Sequence, residues 1–160
     1  MSRHSCGESD LNRSICMAEA ICAAKGSRLT IQRRRILEIL CFQSRPMGAY
    51  EILDQMREQV KGVKPPTVYR ALEFLQSMGL VHRLESLKAF VGCVNPDHPH
   101  AGQFLICRNC GRVEEMEDAG VERRLGEAVS ATGFLADSRV IEVTGCCADC
   151  SQPASGKISK

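Results

Sequence analysis

No apolar run in this 160-residue sequence approaches the roughly 20 residues needed to cross a bilayer. The first stretch, "MSRHSCGESDLNRS", is polar and has none of the apolar core of a secretory leader. From these two absences we expect a soluble protein made and kept in the cytoplasm, with no membrane partner. A strong charge of one sign is also missing. The formal net charge is +2, weak support by itself for a nucleic-acid partner. Cysteine, by contrast, is plentiful, with ten in the chain. A secreted chain would pair them as disulfides, whereas in a reducing cytoplasm paired cysteines more often hold metal. The 44% hydrophobic content is ordinary, and the length suits one domain or two small ones.

The charge that is present is unevenly spread. Residues 1–92 carry 14 Lys/Arg and 9 Asp/Glu, a balance of +5, and residues 93–160 carry 7 and 10, a balance of −3. A basic front and an acidic back predict two modules. Between them, "CVNPDHPHAGQ" has Pro, Asp and Gly and neither a helical nor a strand period. It reads as a hinge. The expected layout is a front module over 1–92, a hinge over 93–102, a back module over 103–152 and a flexible tail over 153–160.

Three helical patterns follow one another in the front module. Thr30 can cap "IQRRRILEILCF", whose Ile36, Ile39 and Leu40 share a face. Ala49, Ile52, Leu53, Met56 and Val60 form a second apolar stripe ending near Gly62. "KPPTVYRALEFLQSMGL" starts with prolines suited to a first turn and stops at Gly79, with Val68, Ala71, Leu72, Leu75 and Met78 facing inward. "CMAEAICAAKG" (16 to 26) adds a fourth helix. In "LVHRLESLKAFVGC" two apolar stretches flank a polar turn, which predicts a β-hairpin. Helices followed by a hairpin make a winged helix-turn-helix, in which the last helix enters the DNA major groove. Thr67, Tyr69 and Arg70 lie in the first turns of that helix, and Arg70 can fork two hydrogen bonds to guanine or phosphate. Tyr50 and Lys64 are expected to supply contacts that position the DNA backbone. A helical bundle with a solvated Arg70 fits charge and periodicity equally well.

In the back module, "QFLICRNCGRVEEME" reads as two short strands around a Cys-x-x-Cys-Gly turn. "VERRLGEAVSATGF" reads as an amphipathic helix, with Val121, Leu125, Ala128, Val129 and Thr132 on one side. "ADSRVIEVTGCCADC" is a strand leading into a second thiol turn. So small a β-rich plate needs a staple or a partner. Ile141 and Val143 could line a sheet face shared between two chains. Two Cys-x-x-Cys turns can complete a four-thiolate zinc site. The competing reading is a redox pair or free thiols, but a redox Cys-x-x-Cys normally opens a helix, and "RNCGR" sits between strands. Cys146 breaks the matching spacing and reads as a bystander. Cys16, Cys22 and Cys41 lie in helical patterns and read as small packing residues; Cys6 has no paired spacing. A second group of ligand types surrounds the hinge: His82, Cys93, His98 and His100, with Glu114 and Glu115 after the first thiol turn. Spacing alone leaves that group equally open to a metal or a surface role.

"RLTIQRRRILEIL", "KPPTVYRALEFLQSMGLVHRLES", "FLICRNCGRVEE" and "VIEVTGCCADC" together resemble the ferric uptake regulator family, and most of all its zinc-sensing branch. The resemblance runs from about residue 12 to residue 150. It implies an α+β chain, an N-terminal winged helix followed by a small α/β dimerisation domain, acting as a homodimeric, metal-activated repressor on operator DNA. It implies two zinc ions per subunit. A structural zinc falls on Cys107, Cys110, Cys147 and Cys150, and a regulatory zinc on His82, Cys93, His100 and Glu115. His98 is an ambiguous neighbour. A thiolate in the second set suits zinc better than iron or manganese. Two departures stand out. Ile31 follows Thr30 where the family has proline, and the histidine run of iron-sensing members is reduced to "HPH". The competing readings are another metal or peroxide sensor of the same family, for iron, nickel or manganese, and, less favoured, a zinc or thiol enzyme; a catalytic zinc keeps an open position that four protein ligands would close.

Overall fold

The computed structural model describes residues 8–43, 45–96, 102–136 and 139–151. Cys6, His98, His100 and the tail expected at 153–160 lie outside the described residues. The chain divides into two compact units, Met1–Pro99 and His100–Lys160.

The first unit holds α1 (Glu8–Ala24), α2 (Ile31–Gln43), α3 (Ala49–Gln59), α4 (Pro65–Ser77), β1 (Val81–Leu84) and β2 (Ala89–Gly92). Helix α1 starts well before the predicted Cys16. Its early turns are polar and commit mainly Leu11 and Ile15 to the core, so their apolar period is faint. Thr30 stands before α2 as predicted: its carbonyl accepts the Arg34 N–H at 2.8 Å and its hydroxyl accepts the Arg33 N–H at 3.5 Å. At α3 the Glu51 carboxylate accepts the N–H of Gly48 at 2.9 Å. Val60, expected on the buried stripe of α3, is exposed, because the helix ends at Gln59 and the chain turns extended there. Helix α4 takes its two prolines in the first turn, where no N–H has an intrahelical acceptor. It stops at Gly79, whose φ of +76° suits glycine, with the Leu80 N–H donating back to Leu75 O at 2.9 Å.

Strands β1 and β2 pair antiparallel from Val81↔Gly92 to Leu84↔Ala89. Met47, just before α3, joins this sheet: its N–H donates to Phe90 O at 3.0 Å and its carbonyl accepts the Phe90 N–H at 2.8 Å. The hairpin decides between the two sequence readings, and the unit is a winged helix-turn-helix. One continuous core runs from Ile15 through Ile36, Leu40, Ile52, Met56, Leu72 and Leu75 to Phe90. Cys22 is buried and Cys41 half-buried, as expected of packing residues. Cys16 is exposed, contrary to that expectation, because Ile15, Ala18 and Cys22 take the inward face of α1.

The second unit holds β3 (Gly102–Cys107), β4 (Val113–Met116), α5 (Ala119–Ala131), β5 (Val140–Gly145) and the one-turn α6 (Ala148–Ser151). The sheet order is β4-β3-β5, with β3 antiparallel to β4 and parallel to β5. Helix α5 is capped by Asp118, whose carboxylate accepts the Val121 N–H at 2.9 Å. Among the described residues α5 buries none. Of its predicted inward side, Leu125 and Val129 are half-buried, while Val121, Ala128 and Thr132 are exposed. The buried apolar residues of this unit are Phe104, Ile106 and Cys107, a much smaller core than that of the first.

Leu75 is fully buried and Leu135 is 90% exposed. Leu75→Ala should lower the unfolding free energy of the first unit by about 2–5 kcal/mol. Leu135→Ala should stay within about 0.5 kcal/mol of wild type. Urea unfolding followed by circular dichroism checks both.

Candidate metal centre and nucleic-acid interface

Cys107 ends β3 and Cys110 lies in the turn after it. Gly111 adopts φ +73°, and its N–H donates to Cys107 O at 2.9 Å, which closes the turn. The Arg108 N–H donates to Gly145 O at 2.9 Å and prolongs the β3–β5 ladder. The chain leaving β5 therefore arrives beside the first thiol pair. There α6 wraps one turn, with the Cys150 and Ser151 N–H groups donating to Cys147 O at 3.0 and 2.9 Å. The turn brings Cys150 round to the side of Cys147.

The Sγ atoms of Cys107, Cys110, Cys147 and Cys150 all lie within 4.8 Å of one another. Cys110 Sγ and Cys147 Sγ are 3.8 Å apart. A tetrahedral ion with Zn–S bonds of about 2.3 Å spaces its sulfurs about 3.8 Å apart. A disulfide needs about 2.05 Å. The donor set and its spacing fit a closed four-thiolate metal site. Charge favours the same reading. The Cys107 thiol is pulled down to about 5, first by the backbone N–H of Cys147, 3.4 Å from its Sγ, and then by that of Cys110. That lowering favours the thiolate, the form that binds metal. Cys150 is pushed up, because its thiol hydrogen-bonds the Cys147 and Cys110 sulfurs. Four crowded sulfurs do not all ionise unless a cation neutralises them. Cys146 is exposed, accepts a hydrogen bond from Asn109 Nδ2 at 3.3 Å, and stands outside the foursome.

The second candidate set is distributed differently. His82 lies in β1 opposite Val91, and Cys93 follows β2, its N–H donating to Leu80 O at 2.9 Å. That register puts His82 and Cys93 on one face of the hairpin, with ligand atoms within 4.8 Å of each other. Both are half-buried. Glu115 lies in β4 opposite Phe104 and is half-buried, whereas Glu114 is exposed.

In the first unit Tyr50 is exposed on the first turn of α3. Lys64 caps α4, and its carbonyl accepts the Thr67 N–H at 3.0 Å. Tyr69 and Arg70 are exposed on the first turns of α4, and Thr67 is half-buried. Ion pairs neutralise several of the arginines of this unit. Arg34 pairs with Glu19 and Glu38, Arg35 with Glu38, Arg45 with Glu51 and Arg57 with Asp54. Among the described residues, Lys61, Lys64 and Arg70 have no such acidic partner. Cations left unneutralised around the start of one helix are what a phosphate backbone attracts.

Sequence reasoning passed over Arg112 and Asp149, which form a 2.8 Å ion pair from one thiol turn to the other. Opposite charges beside the two Cys-x-x-Cys pairs were the available signal. Both side chains are largely exposed, so the pair is worth little energy and acts as an orienting contact.

The ferric uptake regulator family model matches residues 24–144 of the chain. The chain is 42% identical over 137 residues to the zinc uptake regulation protein of Escherichia coli K12, covering 85% of this chain and 80% of that protein. It is 34% identical over 131 residues to the zinc uptake regulation protein of Mycobacterium tuberculosis H37Rv, covering 80% and 98%. A solved structure of a zinc uptake regulator complexed with zinc and DNA superposes with a TM-score of 0.82 at 40% identity, covering 88% of this chain and 94% of that one.

Cys107→Ser or Cys150→Ser should abolish tight binding of one thiolate-preferring ion and unfold the second unit. Structural zinc contributes on the order of 10 kcal/mol or more to folding. Cys146→Ser should do neither. Metal content by mass spectrometry and the near-ultraviolet spectrum of the cobalt-loaded protein distinguish the variants.

Proposed function

The chain belongs to the ferric uptake regulator family, and from that premise we propose that it is a zinc-responsive transcriptional repressor. It binds operator DNA as a metal-loaded homodimer and controls zinc-uptake genes. It is not an enzyme. The observation that carries this reading is the 40% identical relative solved with zinc and DNA, which matches 88% of the chain. The functional layout is a DNA-binding domain at 1–92, a hinge at 93–102, a dimerisation domain at 103–152 and a tail at 153–160. As a protein that acts on DNA, it works in the cytoplasm.

We assign each subunit two zinc ions. Cys107, Cys110, Cys147 and Cys150 hold the structural one, and the 3.8 Å spacing of Cys110 and Cys147 supports that role. His82, Cys93, His100 and Glu115 hold the regulatory one. The sulfur of Cys93 beside the imidazole of His82 supports zinc there over harder ions. Bound zinc supplies one strong attraction shared by all its ligands. Those four residues come from separate stretches of chain, so holding one ion in common restrains the stretches against one another. Zinc loading thereby raises the population of dimers whose two recognition helices match the half-site spacing of a pseudo-palindrome. Exposed Leu105 and Val143, paired across β3 and β5 on one face of the sheet, offer the apolar surface that a second copy covers. Tyr50, Lys64, Thr67, Tyr69 and Arg70 meet the DNA.

Arg70→Ala should leave fold and zinc content intact and weaken operator binding by about 1–3 kcal/mol, the range for a good bidentate base contact. A gel shift at matched salt checks this; unchanged affinity would place another helix in the groove.

Cys93→Ser and His100→Ala should keep the dimer and its structural zinc but lose the zinc-induced gain in DNA affinity. That gain is expected at roughly 5–150-fold, and reciprocity requires operator DNA to tighten zinc binding by the same factor. Zinc titrations with and without operator test it. A wild-type zinc affinity indifferent to operator would remove these four residues from the switch.

A further inference from the structure

Strand β2 ends at a glycine with a sulfur behind it. In an antiparallel pair, opposed residues point to the same face and successive residues to opposite faces. Val81 lies opposite Gly92, and His82 opposite Val91. His82, Val91 and Cys93 therefore share one face of the hairpin, and Val81, Phe90 and Gly92 share the other. The second face is the inward one. Val81 and Phe90 belong to the core of the first unit, and β2 packs against α2.

At Gly92 the space of a side chain is taken by Cys41 of α2. A methyl group built on Gly92 would lie 3.2 Å from Cys41 Sγ, 3.7 Å from its N and 3.8 Å from its Cα. The last two are ordinary contacts. The first is shorter than the ~3.5–4.0 Å optimum between carbons, and sulfur is larger than carbon. Glycine is needed here for the close approach of strand to helix. Helix α2 cannot retreat, because Ile36, Leu37, Ile39 and Leu40 anchor it in the core. From the other side, Cys93 is tied to β1 by its N–H, which donates to Leu80 O at 2.9 Å. The strand end is thus held between a helix and a neighbouring strand, and the next residue after Gly92 is Cys93. Its ligand atom and that of His82 lie within 4.8 Å of each other. Metal sites hold their ligands to within about 0.2 Å, so a shift of a few tenths of an ångström at the strand end matters.

We propose that Cys41 is a positioning residue for the second ligand set. Seated against the bare backbone of Gly92, it sets how closely β2 lies on α2 and so where Cys93 presents its thiol. This role rests on the assignment of Cys93 to the regulatory zinc and extends it to the helix behind the strand. The Cys41 sulfur acts by its size and holds no metal, because Gly92 and Cys93 face opposite ways.

The test uses the full-length protein with zinc in its four-thiolate set. The second set is titrated with zinc against a competing chelator, and separately with cobalt, whose sulfur-to-metal absorption reports the Cys93 thiolate. Gly92→Ala overfills the contact and Cys41→Ala empties it. The double variant moves one heavy atom from helix to strand and fills it again. Each single change should weaken zinc binding at the second set by about 10–100-fold, the range for residues that orient metal ligands, and should dim the cobalt band. The double variant should regain most of the loss, a coupling that two independent defects would not show. Cys41→Ser keeps the shape and should bind zinc as wild type does. Cys41→Ala creates no overlap, so it carries the test if Gly92→Ala does not fold. A merely structural contact would shift the melting temperature and leave zinc affinity and the cobalt band unmoved, which would overturn the positioning role. A double variant no tighter than the weaker single would also overturn it, as would a loss in Cys41→Ser as large as in Cys41→Ala. Cys93→Ser is the reference. If it keeps the second zinc at wild-type affinity, the regulatory assignment fails and the role of Cys41 with it. If it loses that zinc while Cys41→Ala keeps it, the role of Cys41 alone fails.

Discussion

Four sulfurs converging at the end of β3 are the constraint on which the second unit depends. That unit buries Phe104, Ile106 and Cys107, and its helix buries nothing among the described residues. A fully buried side chain of that kind contributes about 1.5–3 kcal/mol. So few of them cannot offset the ordering of a chain that long, at about 1–2 kcal/mol per residue for the backbone alone. A closed thiolate–zinc site, worth on the order of 10 kcal/mol or more, changes that balance. Apolar surface left on Leu105 and Val143 leaves a second contribution to a partner copy. The proposed function makes this unit half of a metal-stapled dimer.

The thiol electrostatics follow from the same crowding. Backbone N–H groups of the two turns are aimed at Cys107 and pull its thiol down to about 5. The strand ladder that delivers β5 to β3 also delivers Cys147 to Cys107. Sheet register and ligand geometry are therefore one property, and neither can change alone. Cys150 is raised by its sulfur neighbours, as expected where several thiolates meet before a cation joins them. The structural role proposed for this set accords with its closure, because four protein ligands leave no position for a reacting group.

The first unit is built on a different principle. Its core is large and continuous, so it needs no staple. Its surface chemistry lies in the distribution of ion pairs. Arg34 and Arg35 of α2 and Arg57 of α3 are neutralised by nearby carboxylates, whereas Lys61, Lys64 and Arg70 around the start of α4 are not. A net charge of +2 conceals this, because it averages paired and unpaired cations together. The hairpin adds His82 and Cys93 on one face and is bonded through Phe90 to Met47, just before α3.

Much of this was legible in the sequence because the signals are local. Apolar spacing exposed α2, α3 and α4, Gly79 marked a helix end, and two Cys-x-x-Cys pairs announced a metal site. Each depends on residues a few positions apart, where backbone geometry alone decides which side chains share a face. Contacts between distant stretches were not legible. The parallel pairing of β5 with β3, the Arg112–Asp149 ion pair, and the Met47–Phe90 bridge each join residues tens of positions apart. The exposure of Cys16 was hidden because Ile15, Ala18 and Cys22 compete with it for the inner face of α1. The chain's local chemistry by itself determined which thiols and which helices exist. Only tertiary structure decided which cations stay unpaired and which sulfurs meet, because charge neutralisation and ligand convergence depend on what folding brings alongside.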